Sequence, residues 1–174
     1  MEKEQHEDRY PLILTLRLDQ DSQAFFDQQR KLYFPAERNY LEAHLTLFHQ
    51  LADGHETVDF MKNLAVREFE LKVTGLRNLG AGVAYRIESP ELLALRKTIA
   101  AEFSGQLIPQ DRQGYRPHIT IMNKTTPQEA LALLADLAAD FGEFTIKATG
   151  LDLWSYLGGP WRHENTFYFK AAEQ

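Results

Sequence analysis

Every second position of residues 12–18 is a leucine, and the alternation predicts a β-strand. Residues 22–33 then read as a helix, with Asp21 or Ser22 as the expected N-cap. A short strand over 44–48 and a helix over about 56–64 follow. Two further apolar stretches, 68–76 and 83–87, flank the turn signals Gly80 and Gly82 and predict a hairpin. Ser89-Pro90-Glu91 opens a helix to about Phe103, with Ser89 as N-cap and Pro90 in the first turn. A strand is expected over 118–122, and Thr126-Pro127-Gln128-Glu129 starts an apolar helix ending near Phe141-Gly142. Two last strands, about 143–153 and 166–170, lie either side of the Gly158-Gly159-Pro160 turn. Mixed helices and hairpins give an α+β fold with mostly antiparallel sheet.

The pattern also repeats. Phe34-Pro35-Ala36-Glu37-Arg38 matches Ile108-Pro109-Gln110-Asp111-Arg112, and His44-Leu45-Thr46-Leu47 matches His118-Ile119-Thr120-Ile121, both at an offset of 74. Further on, residues 68–76 match 143–151 at an offset of 75. Three blocks in register imply an internal duplication. The expected architecture is two pseudo-symmetric lobes with helices packed outside and a central cleft. No linker composition separates the halves, so 1–174 is expected to be one bilobal domain, with 1–10 as a flexible tail.

Composition narrows the class. The chain has no cysteine, which removes disulfides and thiolate metal sites. It has no apolar run long enough for a membrane span, and its charged N-terminus lacks the apolar core of a secretory signal. A cytoplasmic monomer that binds no membrane is the expectation. The net charge of −6 argues against a groove for duplex nucleic acid, although a few converging cations could still hold one small anion.

Side chains i and i+2 of a strand face the same way. His44 and Thr46 therefore share a face, as do His118 and Thr120, while Leu45, Leu47, Ile119 and Ile121 point into the lobe cores. Related by a pseudo-twofold axis, the two polar faces would line one cleft. Two imidazoles suit cleavage of a phosphodiester, which needs a base on the attacking oxygen and an acid on the leaving oxygen. The two hydroxyls can donate hydrogen bonds to the non-bridging oxygens. A lone His-x-Thr is ordinarily a packed or solvated pair, and it is the matched second copy that gives these residues weight. A metal centre competes with this reading. It needs three or four convergent ligands, and no carboxylate accompanies the histidines at matching positions.

Tyr115, Arg116 and Lys124 flank the second motif and are candidate substrate contacts. Trp161 is another, since Trp154, Tyr156, Trp161 and Arg162 surround the Gly-Gly-Pro turn, where an aromatic could stack on a base or simply pack. His6, His49, His55 and His163 have no repeat partner and are expected at the surface. Arg38 and Arg112 match across the repeat and are expected to brace the loop before each motif strand.

The paired His44-Leu45-Thr46-Leu47 and His118-Ile119-Thr120-Ile121 segments resemble the H-x-[TS]-hydrophobic motifs of the 2H phosphoesterase superfamily, especially its bacterial 2′-5′ RNA ligase-like branch. Motif spacing, the Pro117-His118-Ile119-Thr120-Ile121 context and the closing Tyr156-Leu157-Gly158-Gly159-Pro160-Trp161 segment extend the resemblance over most of the chain. It implies a bilobal fold with both motifs in a central cleft. It implies hydrolysis of 2′,3′-cyclic or related phosphodiesters, sometimes with reversible 2′-5′ ligation of RNA ends. His44 and His118 would be acid and base, and Thr46 and Thr120 would hold the phosphate, with no metal or cofactor. The expected partner is a small nucleotide-like phosphodiester or an RNA end. A binding module that keeps the fold without turnover is the alternative.

Overall fold

The computed structural model describes residues 9–172. His6 and most of the 1–10 tail lie outside them; Tyr10 is described and has the Arg162 guanidinium 5.6 Å from its ring centroid.

The chain runs β1 (Leu12–Leu18), α1 (Gln20–Tyr33), a 3-10 turn (Ala36–Arg38), β2 (Leu45–Leu51), α2 (His55–Lys62) and β3 (Phe69–Asn78). The second half runs β4 (Val83–Glu88), α3 (Pro90–Glu102), α4 (Pro109–Arg112), β5 (His118–Met122), α5 (Pro127–Asp140) and β6 (Phe144–Tyr156). A closing strand, β7 (Trp161–Tyr168), follows the Gly-Gly-Pro turn. Apart from β7, the halves run in the same order, with the 3-10 turn of the first standing where the second has the short helix α4.

All the strands form one antiparallel sheet in the order β2-β1-β6-β3-β4-β5, with β7 paired to β6 beside β3. Exchanging each strand for its partner in the other half reverses this order and leaves it unchanged. The pseudo-dyad passes between β3 and β6, where Leu71 pairs with Ile146, its own counterpart at the repeat offset of 75. Two pseudo-symmetric lobes therefore share one continuous sheet. β7 has no counterpart and breaks the symmetry.

Local chemistry explains most boundaries. Ser89 Oγ accepts from the Leu92 amide at 3.1 Å, and Thr126 and Glu129 form a capping box at the start of α5. Helix α1 begins earlier than expected, with Asp19 as N-cap in place of Asp21 or Ser22. Asp19 is extended, and its carboxylate accepts from the Ser22 hydroxyl and the Lys147 amide instead of capping its own helix. The last strand was expected over 166–170, but it begins at Trp161 because the Gly-Gly-Pro turn, closed by Leu157 N–H to Pro160 O, starts the ladder at once.

Both motif strands carry a register shift after the threonine: at Thr46–Phe48 in β2 and at Thr120–Met122 in β5. The extra residue lets two consecutive side chains enter the core, Leu47 with Phe48 and Ile121 with Met122. Leu45, Leu47, Ile119 and Ile121 are at most 1% exposed, which anchors each strand from behind at about 1.5–3 kcal/mol per side chain. Helix α1 packs against β5 of the opposite lobe, and α4 against β2. Each half thus supports the other half's motif strand.

Candidate active site

His44 immediately precedes β2 and His118 begins β5, and both line one cleft of about 580 Å³ with Thr46 and Thr120. Both histidines bond a backbone carbonyl through Nδ1, and Arg77 Nη1 also lies 3.4 Å from Nδ1 of His118. Nδ1 of His44 lies 2.8 Å from the Glu42 carbonyl oxygen, and Nδ1 of His118 lies 2.9 Å from that of Arg116. A carbonyl can only accept, so Nδ1 carries the hydrogen in both rings and Nε2 is the basic nitrogen. Neither Nε2 nor either threonine hydroxyl has a hydrogen-bond partner among the described residues. These four groups are free for a ligand.

Burial lowers both histidine pKa values. His44 falls to about 4, with the charges of Arg30, His118 and His49 adding to the desolvation. His118 is also lowered, by desolvation and then by Arg77 and His49, outweighing its bond to the Arg116 carbonyl. Both rings are therefore neutral at pH 7.

A family model for the 2′-5′ RNA ligase superfamily matches residues 18–160. The chain belongs to that superfamily. No curated protein sequence gives a significant match. The fold is similar to E. coli LigT complexed with 3′-AMP (TM-score 0.62, 14% identity, covering 94% of this chain and 99% of that one). It is similar too to TT0787 of Thermus thermophilus (TM-score 0.67, 16% identity, 94% and 100% covered). E. coli LigT complexed with NADP+ aligns with a TM-score of 0.59 at 14% identity, over 93% of this chain and 99% of that one. As a member of the superfamily the chain is a phosphodiester-processing phosphoesterase by kind.

The 2′-5′ RNA ligase fold of this chain gathers seven of the eight candidates. Tyr115, Arg116 and Trp161 join the histidines and threonines around the cleft, and Lys124 does not. Lys124 sits past the end of β5 in a left-handed conformation (φ 59°), where its carbonyl accepts from Arg38. The turn after the register shift carries it away. Tyr115 reaches the cleft, but its buried hydroxyl donates to the Thr46 carbonyl at 2.9 Å, and burial raises its pKa. It braces β2. Trp161 packs on His44 with ring centroids 4.6 Å apart.

Sequence comparison missed the arginines that tie each lobe to the other's motif strand. Arg30 of α1, 4% exposed, donates to the Thr120 carbonyl, and Arg96 of α3 donates to the Leu47 carbonyl. Arg38 was expected to brace the loop of its own half; it instead holds the far end of β5, whereas Arg112 does bond its own loop at Leu107 O. The α1 and α3 sequences do not align around these arginines, so the repeat gave no signal.

His49 and His163 are exposed, as expected, yet both are engaged. His163 Nε2 lies 2.9 Å from Asp152. His49 lines the cleft, with Nδ1 2.9 Å from the carboxylate of Asp111. Asp111 is 1% exposed and also accepts from the amides of His49 and Gln50 at 3.0 Å. Burial alone would raise its pKa, but the His49 ring and these amides outweigh that and lower it. Asp111→Ala leaves two strand amides without their acceptor, at about 1–3 kcal/mol each where they stay dry. We expect thermal melting to fall by roughly 4–24 °C, at about 2–4 °C per kcal/mol for a chain of this size. An unchanged melting temperature would show that water replaces the carboxylate.

Proposed function

We propose that the protein hydrolyses a cyclic 2′,3′-type or 2′-5′ phosphodiester on a nucleotide or RNA end by two-histidine acid–base catalysis, without metal or cofactor. The observation that carries this reading is the matched pair of imidazoles, each fixed through Nδ1 with Nε2 open to one cleft. A fold used only for binding has no need of two identical proton-transfer groups.

His44, the more strongly depressed, stays neutral and takes the proton of the attacking water at Nε2. His118 is the acid. The anionic phosphate raises its pKa on entering the cleft, and Nε2–H then protonates the leaving ribose oxygen. Thr46 and Thr120 donate to the non-bridging oxygens, and Trp161, already against His44, takes the base. Water adds to phosphorus, one ribose P–O bond breaks, and the product is a nucleoside 2′- or 3′-phosphate. The 3′-AMP carried by E. coli LigT has the form of such a product.

The sign of the pH dependence follows. Free-enzyme kcat/KM should rise as pH climbs through about 4, where His44 loses its proton, and fall as His118 loses its own below the ordinary 6.5. The optimum is expected on the acid side of neutrality. The test is turnover of 2′,3′-cyclic nucleotides, ADP-ribose cyclic phosphate and 2′-5′ linked oligonucleotides in the presence of EDTA. Hydrolysis of at least one class is expected. Binding without turnover of any, or complete loss on chelation, would contradict the proposal.

A further inference from the structure

The lobes differ at one pair of equivalent positions beside the cleft, and the difference changes the charge. In the first lobe Arg17 of β1 stands opposite Gly150, and Asp152 lies two residues along β6. In the second lobe Arg86 of β4 stands opposite Gly75, and Arg77 lies two residues along β3. Gly75 and Gly150 are repeat counterparts at an offset of 75, and so are Arg77 and Asp152. Where the first lobe places an acid, the second places a second arginine.

The consequences are visible. Arg17 is neutralised by Asp152 at 3.3 Å, and Asp152 is further engaged by His163 and by Thr166 of β7. Arg77, Arg86 and Arg116 make no ion pair among the described residues. All three line a trough of about 670 Å³ that adjoins the catalytic cleft and shares Arg77, Tyr115 and Arg116 with it. One acid, Glu88, also lines the trough, and Lys72 stands opposite it in the ladder. The remaining wall is largely apolar, with Leu76, Ile87 and Leu93.

Position ties the trough to the reaction. Arg86 is the direct cross-strand partner of His118, so their side chains leave the same face about 5 Å apart. A Cβ at Gly75 would lie 2.5 Å from the Arg86 guanidinium, so the arginine folds over this glycine toward β3, and Arg77 lies 3.4 Å from the His118 ring. The cavity on the other flank, beyond Trp161, is lined instead by Asp19, Asp27 and Glu42, which repel phosphate, and by the paired Arg17 and Asp152.

We infer that Arg77, Arg86 and Arg116 form a subsite for a second phosphate, so the preferred ligand carries another phosphate one nucleoside away from the reacting one. Guanidinium groups without a carboxylate partner suit such an anion, and the apolar wall suits the sugar or base beside it. The substrate then lies in one direction, with its phosphate-bearing remainder toward β4 and away from the acidic flank. This inference rests on the catalytic reading for its orientation only.

Equilibrium binding tests it without turnover. Adenosine 3′,5′-bisphosphate and adenosine 3′-monophosphate differ by the second phosphate alone, and the wild type should prefer the bisphosphate by at least about 10-fold. Arg86→Gln with Arg116→Gln should cut the preference to about 2-fold or less, whereas Arg86→Lys, which keeps the charge, should retain part of it. A 3′-phosphorylated adenylyl dinucleotide distinguishes sources. Binding tighter than the bisphosphate assigns the subsite to an RNA strand, and weaker binding assigns it to a free nucleotide. Equal wild-type affinity for the bisphosphate and monophosphate would overturn the subsite and leave the catalytic reading standing, as would a preference that survives the double glutamine variant. Retained bisphosphate preference with no hydrolysis of any cyclic substrate would do the reverse.

Discussion

Alanine in place of either His44 or His118 is expected to lower kcat/KM by about 10²–10⁴-fold, the usual worth of one positioned proton-transfer group. The fold should survive both changes. Each ring is only partly buried, its shortest hydrogen bond goes to a neighbouring backbone carbonyl (His118 has Arg77 besides, at 3.4 Å), and the strand behind it is anchored by leucines and isoleucines. A melting temperature within a few degrees of the wild type, together with the kinetic loss, separates catalysis from stability. The double variant should cost much less than the product of the single losses, because the two groups act in one step. Full activity in either single variant would refute the acid–base pair.

The second large effect belongs to the threonines. Thr46→Val and Thr120→Val keep the side-chain shape and remove a hydroxyl that has no partner among the described residues. A hydrogen bond to a charged group contributes about 1.5–3 kcal/mol, so each change should lower kcat/KM roughly 10–150-fold. The pH optimum should stay in place, since no titrating group is lost. Serine at either position restores the donor and should recover much of the rate. A valine variant with wild-type kinetics would reduce these hydroxyls to strand packing.

Much of this site could be read from the sequence because it rests on short-range geometry. Residues i and i+2 of a strand share a face, so His-x-Thr fixed which groups point together, and the matched second copy brought the two faces into one cleft. That the halves descend from one duplicated unit remains our reading of the reversed strand order and the Leu71–Ile146 pairing. The bracing groups were not legible. Arg30 and Arg96 act between lobes, at sequence separations of 90 and 49, on carbonyls that carry no side-chain signature. His49 carries no repeat signal, since its counterpart is Asn123, and its buried partner Asp111 is matched by Glu37, which is exposed. Lys124 failed for the opposite reason. Nearness in sequence to a motif says little once a register shift and a left-handed turn intervene.

The most direct test of the central claim is the pH profile of kcat/KM for the wild type and the two alanine variants, measured on a hydrolysed 2′,3′-cyclic nucleotide in EDTA. The wild type should show two limbs, the acidic one near the about 4 of His44 and the alkaline one set by the lowered pKa of His118. His44→Ala should lose the acidic limb and His118→Ala the alkaline one. Variants that keep both limbs, or a wild-type rate that does not vary between about pH 4 and 8, would contradict the account.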